Sequence, residues 1–149
     1  MHKGVIRRFV QEDFIVSDGV VFDPPKGGYV SVHGQIQCLS GLNIDVEEKL
    51  KVVSRERGNV RVVREGYKYN VSVSGRGNRF RHDGGHPDHS QRPHEHRFDS
   101  RGQQTSRLEI DEGSALPTLG DVIDETRELY WSPEFAKEND QLPDDAEES

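Results

Sequence analysis

The chain has 149 residues, of which only 31% are apolar, so the expectation is one domain with a modest core and some chain outside it. Its formal net charge is −7 at pH 7 and Cys38 is its single cysteine, which excludes an internal disulfide or a cysteine-held zinc site and leaves any metal to histidine and carboxylate. The opening "MHKGVIRRFV" has charges with no apolar run behind them, and no segment approaches the roughly eighteen apolar residues of a membrane span, so a soluble, cytoplasmic chain is expected.

From Val5 to Cys38 the stretches "FIV", "VVF", "YVSV" and "GQIQC" are separated by turn formers such as Asp18-Gly19 and Pro24-Pro25, a pattern of short strands. A clearer alternation begins at Leu42 and runs through Ile44, Val46, Leu50 and Val52, as on a half-buried strand. Glu48 sits in register with that apolar face. A carboxylate there must line a cleft or find a partner, unless the strand ends or bulges at Val46. The stretch "RERGN" (55–59) predicts a hairpin turn. In "YKYNVSVS" Tyr67, Tyr69, Val71 and Val73 face one way and Lys68, Asn70, Ser72 and Ser74 the other. The "GRGN" turn (75–78) leads into "RFRHD", so three hairpin-linked strands predict an antiparallel meander.

Residues 99–116 show little pattern and read as a long loop with one short strand at "RLEI". The next segment, "LPTLGDVIDETRELYW", predicts a helix with Thr118 as N-cap, Asp121 three residues on, and a stripe of Leu119, Val122, Ile123, Thr126, Leu129 and Tyr130. Pro133 ends it. The architecture predicted is therefore α+β, a curved antiparallel β-sheet (meander) with a C-terminal helix packed on it over residues 1–132, followed by a disordered acidic tail over 133–149.

Charge is unevenly placed. The tail "PEFAKENDQLPDDAEES" has seven acids and one lysine, whereas Lys51–Arg81 has nine basic residues against Glu56 and Glu65. A basic stretch of this kind is the footprint of phosphate-backbone binding, or the solvent face of exposed strands. Five of the seven histidines, His82, His86, His89, His94 and His96, follow directly. In an extended segment His94 and His96 point to one side. One chemistry open to them is zinc binding, with His86 and Asp83 as further ligands. The other is acid/base work on RNA, in which Glu48, His94 and His96 exchange protons without a metal while Arg79 or Arg81 neutralises the phosphate. An exposed histidine-rich loop is the plain alternative, and His2 and His89 are read as incidental.

The run from Leu42 to Leu129 resembles the TumE-type toxin family of type II toxin–antitoxin systems. In that family an inward glutamate on a strand, a Tyr-x-Tyr strand, an Arg-Tyr-Asp-Asn segment, a His-Pro step, a histidine segment and a Pro-Thr-Leu helix follow one another. Here they correspond to "LNIDVEEKLKVV", "YKY", "RHDG", "HP", "RPHEH" and "LPTLGDVIDE", with His82 and Gly84 replacing the family's tyrosine and asparagine. The resemblance implies a growth-inhibiting toxin acting as a ribonuclease and neutralised by a cognate antitoxin, a small DNA-binding helix-turn-helix protein. Homo-oligomerisation is left open. The catalytic set expected is Glu48, His94 and His96, with Lys68, Arg64, Arg79 and Arg81 on RNA and Tyr67, Tyr69, Asp83 and His86 in support. The rival functions are a zinc-dependent hydrolase or transferase on His86, His94, His96 and Asp83, and a non-catalytic module binding nucleic acid or a partner.

Overall fold

The computed structural model describes residues 14–84, 93–111 and 115–140. Eight antiparallel strands form one open sheet: β1 (Ile15–Asp18), β2 (Val21–Phe22), β3 (Tyr29–Cys38), β4 (Leu42–Glu56), β5 (Asn59–Val73), β6 (Gly77–Gly84), β7 (His94–Phe98) and β8 (Gln104–Glu109). The strands lie in the order β1-β3-β4-β5-β6-β7-β8, with β2 also pairing with β3. From β3 onward each strand pairs with its sequence neighbour, so the meander expected for three strands extends to six.

Two turn features set the registers. Arg57 and Gly58 both have positive φ, 51° and 82°, the conformation of the two-residue hairpin turn that matches strand twist, and "RERGN" makes the β4–β5 hairpin as its sequence predicts. Gly34, at φ 144°, lies where a Cβ would collide with the backbone of Gly19. That close approach lets Gly19 donate its N–H to the Gln35 carbonyl at 2.9 Å and seats the β1–β2 segment on β3.

Residues opposite in register share a face of the sheet. The first face carries Leu42, Ile44, Val46 and Glu48 of β4 against Val73, Val71, Tyr69 and Tyr67 of β5, then Phe80, His82 and Gly84 of β6, and finally Arg97 and Glu95 of β7. Helix α1 (Leu119–Tyr130) packs on β4 and β5. It buries Leu119, Val122, Ile123 and Thr126, the helical stripe expected. Full burial of each aliphatic member contributes about 1.5–3 kcal/mol. The Thr118–Asp121 capping box closes its N-terminus, Thr118 Oγ1 accepting from the Asp121 N–H at 3.1 Å and Asp121 Oδ2 from the Thr118 N–H at 3.0 Å.

One expectation is extended and one corrected. The short strand expected at "RLEI" is present but begins earlier, at Gln104, and the loop before it is correspondingly short. Asp99 Oδ1 accepts from the N–H groups of Arg101 at 2.8 Å and Gln103 at 3.0 Å, which makes a side-chain-built turn, and β8 then pairs along β7. The six residues of β8 are all exposed, and an edge strand open on both faces carries no apolar alternation for a sequence to show. The acidic tail is also not irregular from residue 133. Pro133–Asp140 form helix α2, with Ser132 Oγ accepting from the Phe135 N–H at 3.2 Å and proline in the first turn, where no N–H is needed. Phe135 is 1% exposed in the core.

Candidate functional site

The second face of the sheet, away from α1, presents His33 and Gln35 of β3, Glu47 and Asp45 of β4, Lys68 and Asn70 of β5, Asp83 and Arg81 of β6, and His94 and His96 of β7. Asp83 is directly opposite His94, and Arg81 directly opposite His96. The His-x-His spacing on an extended strand thus delivers both imidazoles to one carboxylate. Asp83 Oδ2 lies 3.3 Å from His94 Nε2 and 3.6 Å from His96 Nε2 and accepts from Arg81 Nε at 2.9 Å. Asp83, His94 and His96 are 4%, 4% and 7% exposed. The two imidazole rings meet edge to face with centroids 4.8 Å apart.

His96 Nδ1 bonds Gln104 Oε1 at 2.9 Å. The Gln104 amide thus engages Nδ1 and leaves Nε2 turned toward Asp83. Burial holds His96 below its ordinary value of 6.5, opposed by the Gln104 bond and aided by the charge of Arg81. His96 Nε2 and Asp83 Oδ1 are both buried without a hydrogen-bond partner, which is the costly condition for polar atoms.

Beside this cluster lies a polar groove of about 750 Å³, lined among others by His33, Gln35, Asp45, Glu47, Lys68, Asn70 and Arg81. That volume is within the roughly 300–1,000 Å³ of ordinary ligand sites. Arg81 belongs to both groove and cluster.

The expected site residues thus divide. His94, His96, Asp83, Arg81 and Lys68 come together on one face. Glu48 does not join them. It is buried on the helix-side face opposite Tyr67, where the Tyr69 hydroxyl donates to its Oε2, so direct proton exchange between Glu48 and the histidine pair would have to cross the sheet. The strand neither ends nor bulges at Val46. The register shifts only past Lys49. Glu48 and Tyr67 do border a second cavity of about 320 Å³ together with Lys68.

Tyr67 and Tyr69 stack at 5.4 Å within the core, and burial raises the pKa of both hydroxyls. Arg64 caps them, its guanidinium 4.3 Å from the Tyr67 ring centroid and donating to Tyr69 Oη at 2.8 Å and the Pro117 carbonyl at 2.6 Å. Arg79 is 6% exposed, donates to the Asp99 carbonyl at 3.0 Å and pairs with Glu138 of α2. Both arginines are fastened within the fold rather than turned to an RNA. His86 lies outside the described residues.

Two participants were not foreseen. Gln104 orients His96 from across the β7–β8 hairpin, and only the bulge between Arg97 and Phe98 sets its register. His82, on the helix side, bonds Glu125 Oε1 of α1 at 3.0 Å and lies 3.7 Å from Glu95. Its parity with Phe80 was the available signal, since alternation puts both on the core face.

Comparison with protein-family models, with curated proteins and with solved structures finds no match to this chain. Among the described residues no helix is long and apolar enough to cross a membrane.

Proposed function

We propose that this chain is the toxin of a toxin–antitoxin pair and that it cleaves RNA at the Asp83–His94–His96 cluster, with Arg81 and Lys68 receiving the phosphate backbone. The observation that carries the reading is the buried Asp83 carboxylate, contacted by Arg81 and by both imidazoles and adjoining a polar groove that shares Arg81. The two imidazoles supply a proton acceptor and a proton donor, Asp83 orients them, and a guanidinium is placed for charge developing on phosphorus. This arrangement replaces Glu48 with Asp83 as the carboxylate of the site. The resemblance of Leu42–Leu129 to the TumE-type family supports the biological role, and a small helix-turn-helix antitoxin is the partner that goes with it. The fully exposed edge strand β8, with Leu108 60% exposed, is where such a partner has backbone and apolar surface to engage.

Purified, antitoxin-free protein is expected to cut RNA, the His94→Ala/His96→Ala double variant to lose the activity by two orders of magnitude or more, and Glu48→Gln to retain it. Intact RNA with the wild-type protein under conditions where it arrests growth overturns the reading.

A further inference from the structure

We propose that Asp83, His94 and His96 form a three-ligand site for a divalent transition ion of the zinc class. The donor atoms of the three residues all lie within 4.8 Å of one another. Two of the separations can be tested against coordination geometry. Ligand bonds of about 2.0–2.2 Å in a tetrahedron place donor atoms roughly 3.3–3.6 Å apart. The carboxylate oxygen of Asp83 is 3.3 Å from His94 Nε2 and 3.6 Å from His96 Nε2, which are the edges such a site requires.

The second support is independent of distance. With Nδ1 engaged by Gln104, His96 turns Nε2 toward the Asp83 carboxylate. Both His96 Nε2 and Asp83 Oδ1 lack a hydrogen-bond partner although both are buried. A cation held by Asp83 Oδ2 and His96 Nε2 gives the buried imidazole nitrogen a partner, and two imidazoles with one carboxylate are a borderline donor set that suits zinc and its first-row neighbours. The surrounding residues are those that tune a metal ligand. Gln104 holds the His96 ring in orientation, and Arg81 donates to Asp83 Oδ2, the oxygen that faces both imidazoles, and so holds that carboxylate in place. Three protein donors leave a fourth position for water or a phosphate oxygen. The inference concerns the residues of the proposed nuclease site, and where the ion is bound it makes the imidazoles ligands in place of proton carriers; its evidence and its test involve no RNA.

The test is titration of untagged, metal-depleted full-length protein with Co²⁺, followed by Zn²⁺. One equivalent of Co²⁺ should bind with the visible absorption of a four- or five-coordinate ion, and Zn²⁺ should displace it. The band should vanish in the His94→Ala, His96→Ala and Asp83→Ala variants and persist in His33→Ala. Gln104→Leu keeps all three ligands, so it guards against variants that fail to fold, and it should weaken affinity about 10–100-fold. Absence of a saturable single equivalent in the wild type overturns the site, as does unchanged affinity in the His94→Ala/His96→Ala double variant. Metal bound with no RNA cut would overturn the nuclease reading and leave the site standing. RNA cut by protein that binds no metal would do the reverse.

Discussion

Glu48 and Asp83 are two carboxylates with opposite surroundings on one sheet, and the difference decides their roles. Glu48 takes a hydrogen bond from Tyr69, which in turn accepts from Arg64, so the three close a chain under α1. Burial raises the Tyr69 hydroxyl and the bond to Glu48 raises it further, so Tyr69 remains a donor at any physiological pH. Tyr69→Phe removes that donor and leaves a buried carboxylate short of one bond. Urea unfolding should show a loss of about 1–3 kcal/mol, while activity at the histidine face changes little. Asp83, by contrast, keeps one oxygen without a hydrogen-bond partner among its buried atoms. That is a condition a protein retains where a ligand or proton is to arrive.

At the scale of elements, α1 and α2 are each fastened to the sheet by buried apolar side chains and by a carboxylate paired with strand residues. Glu125 of α1 meets His82 and Arg97. Burial alone would raise its pKa, but the His82 bond and the Arg97 charge outweigh this and hold it below the ordinary 4.5. The unfolded chain therefore takes up the proton first as pH falls. The Glu125 contribution is complete above about pH 4.5 and is lost as pH drops through the depressed native value. Thermal unfolding of Glu125→Gln should accordingly depend less on pH below 4.5 than the wild type. Helix α2 depends on Phe135, packed at 6.3 Å from Tyr130, and on Glu138 between Arg76 and Arg79. Phe135→Ala should cost about 3–5 kcal/mol in denaturant titration, as expected for a fully buried aromatic. A loss within about 0.5 kcal/mol, the range of a surface substitution, would show that α2 does not belong to the core.

For the whole molecule, the basic stretch from Lys51 to Arg81 does not act as one surface. Arg64, Arg76 and Arg79 are consumed by internal partners, whereas Lys68 and Arg81 line the groove. Lys68→Ala should weaken RNA binding and flatten its dependence on salt by about 0.7 in the log–log slope for one phosphate contact on a single strand. Arg64→Ala should instead lower stability and leave that slope unchanged. Fluorescence anisotropy over a salt series separates the two.

Much of the fold was legible from residue order: the alternation from Leu42 and from Tyr67 fixed which residues share a face, "RERGN" fixed a hairpin, and the Thr118–Asp121 pair fixed the start of α1, because each depends on neighbours a few residues apart. The same local parity put His94 beside His96. What the sequence could not determine was which carboxylate they meet. Glu48 and Asp83 were both within reach of a meander, and the choice rests on register. Across the β4–β5 and β5–β6 ladders Glu48 pairs with Tyr67 and Asp83 with Lys68, so the two carboxylates fall on opposite faces. A shift of one residue in either ladder would have put both carboxylates on one face. In the β4–β5 ladder the irregularities at Lys49/Leu50 and Val52/Ser54 offset each other, so Glu48 keeps the register of the hairpin; in the β5–β6 ladder the bulge between Val71 and Ser72, which no periodicity announces, sets the register of Asp83. The tertiary structure also decided Pro133–Asp140, since buried Phe135 and the pairing of Glu138 with Arg76 and Arg79 hold as a helix a segment whose composition argued for none.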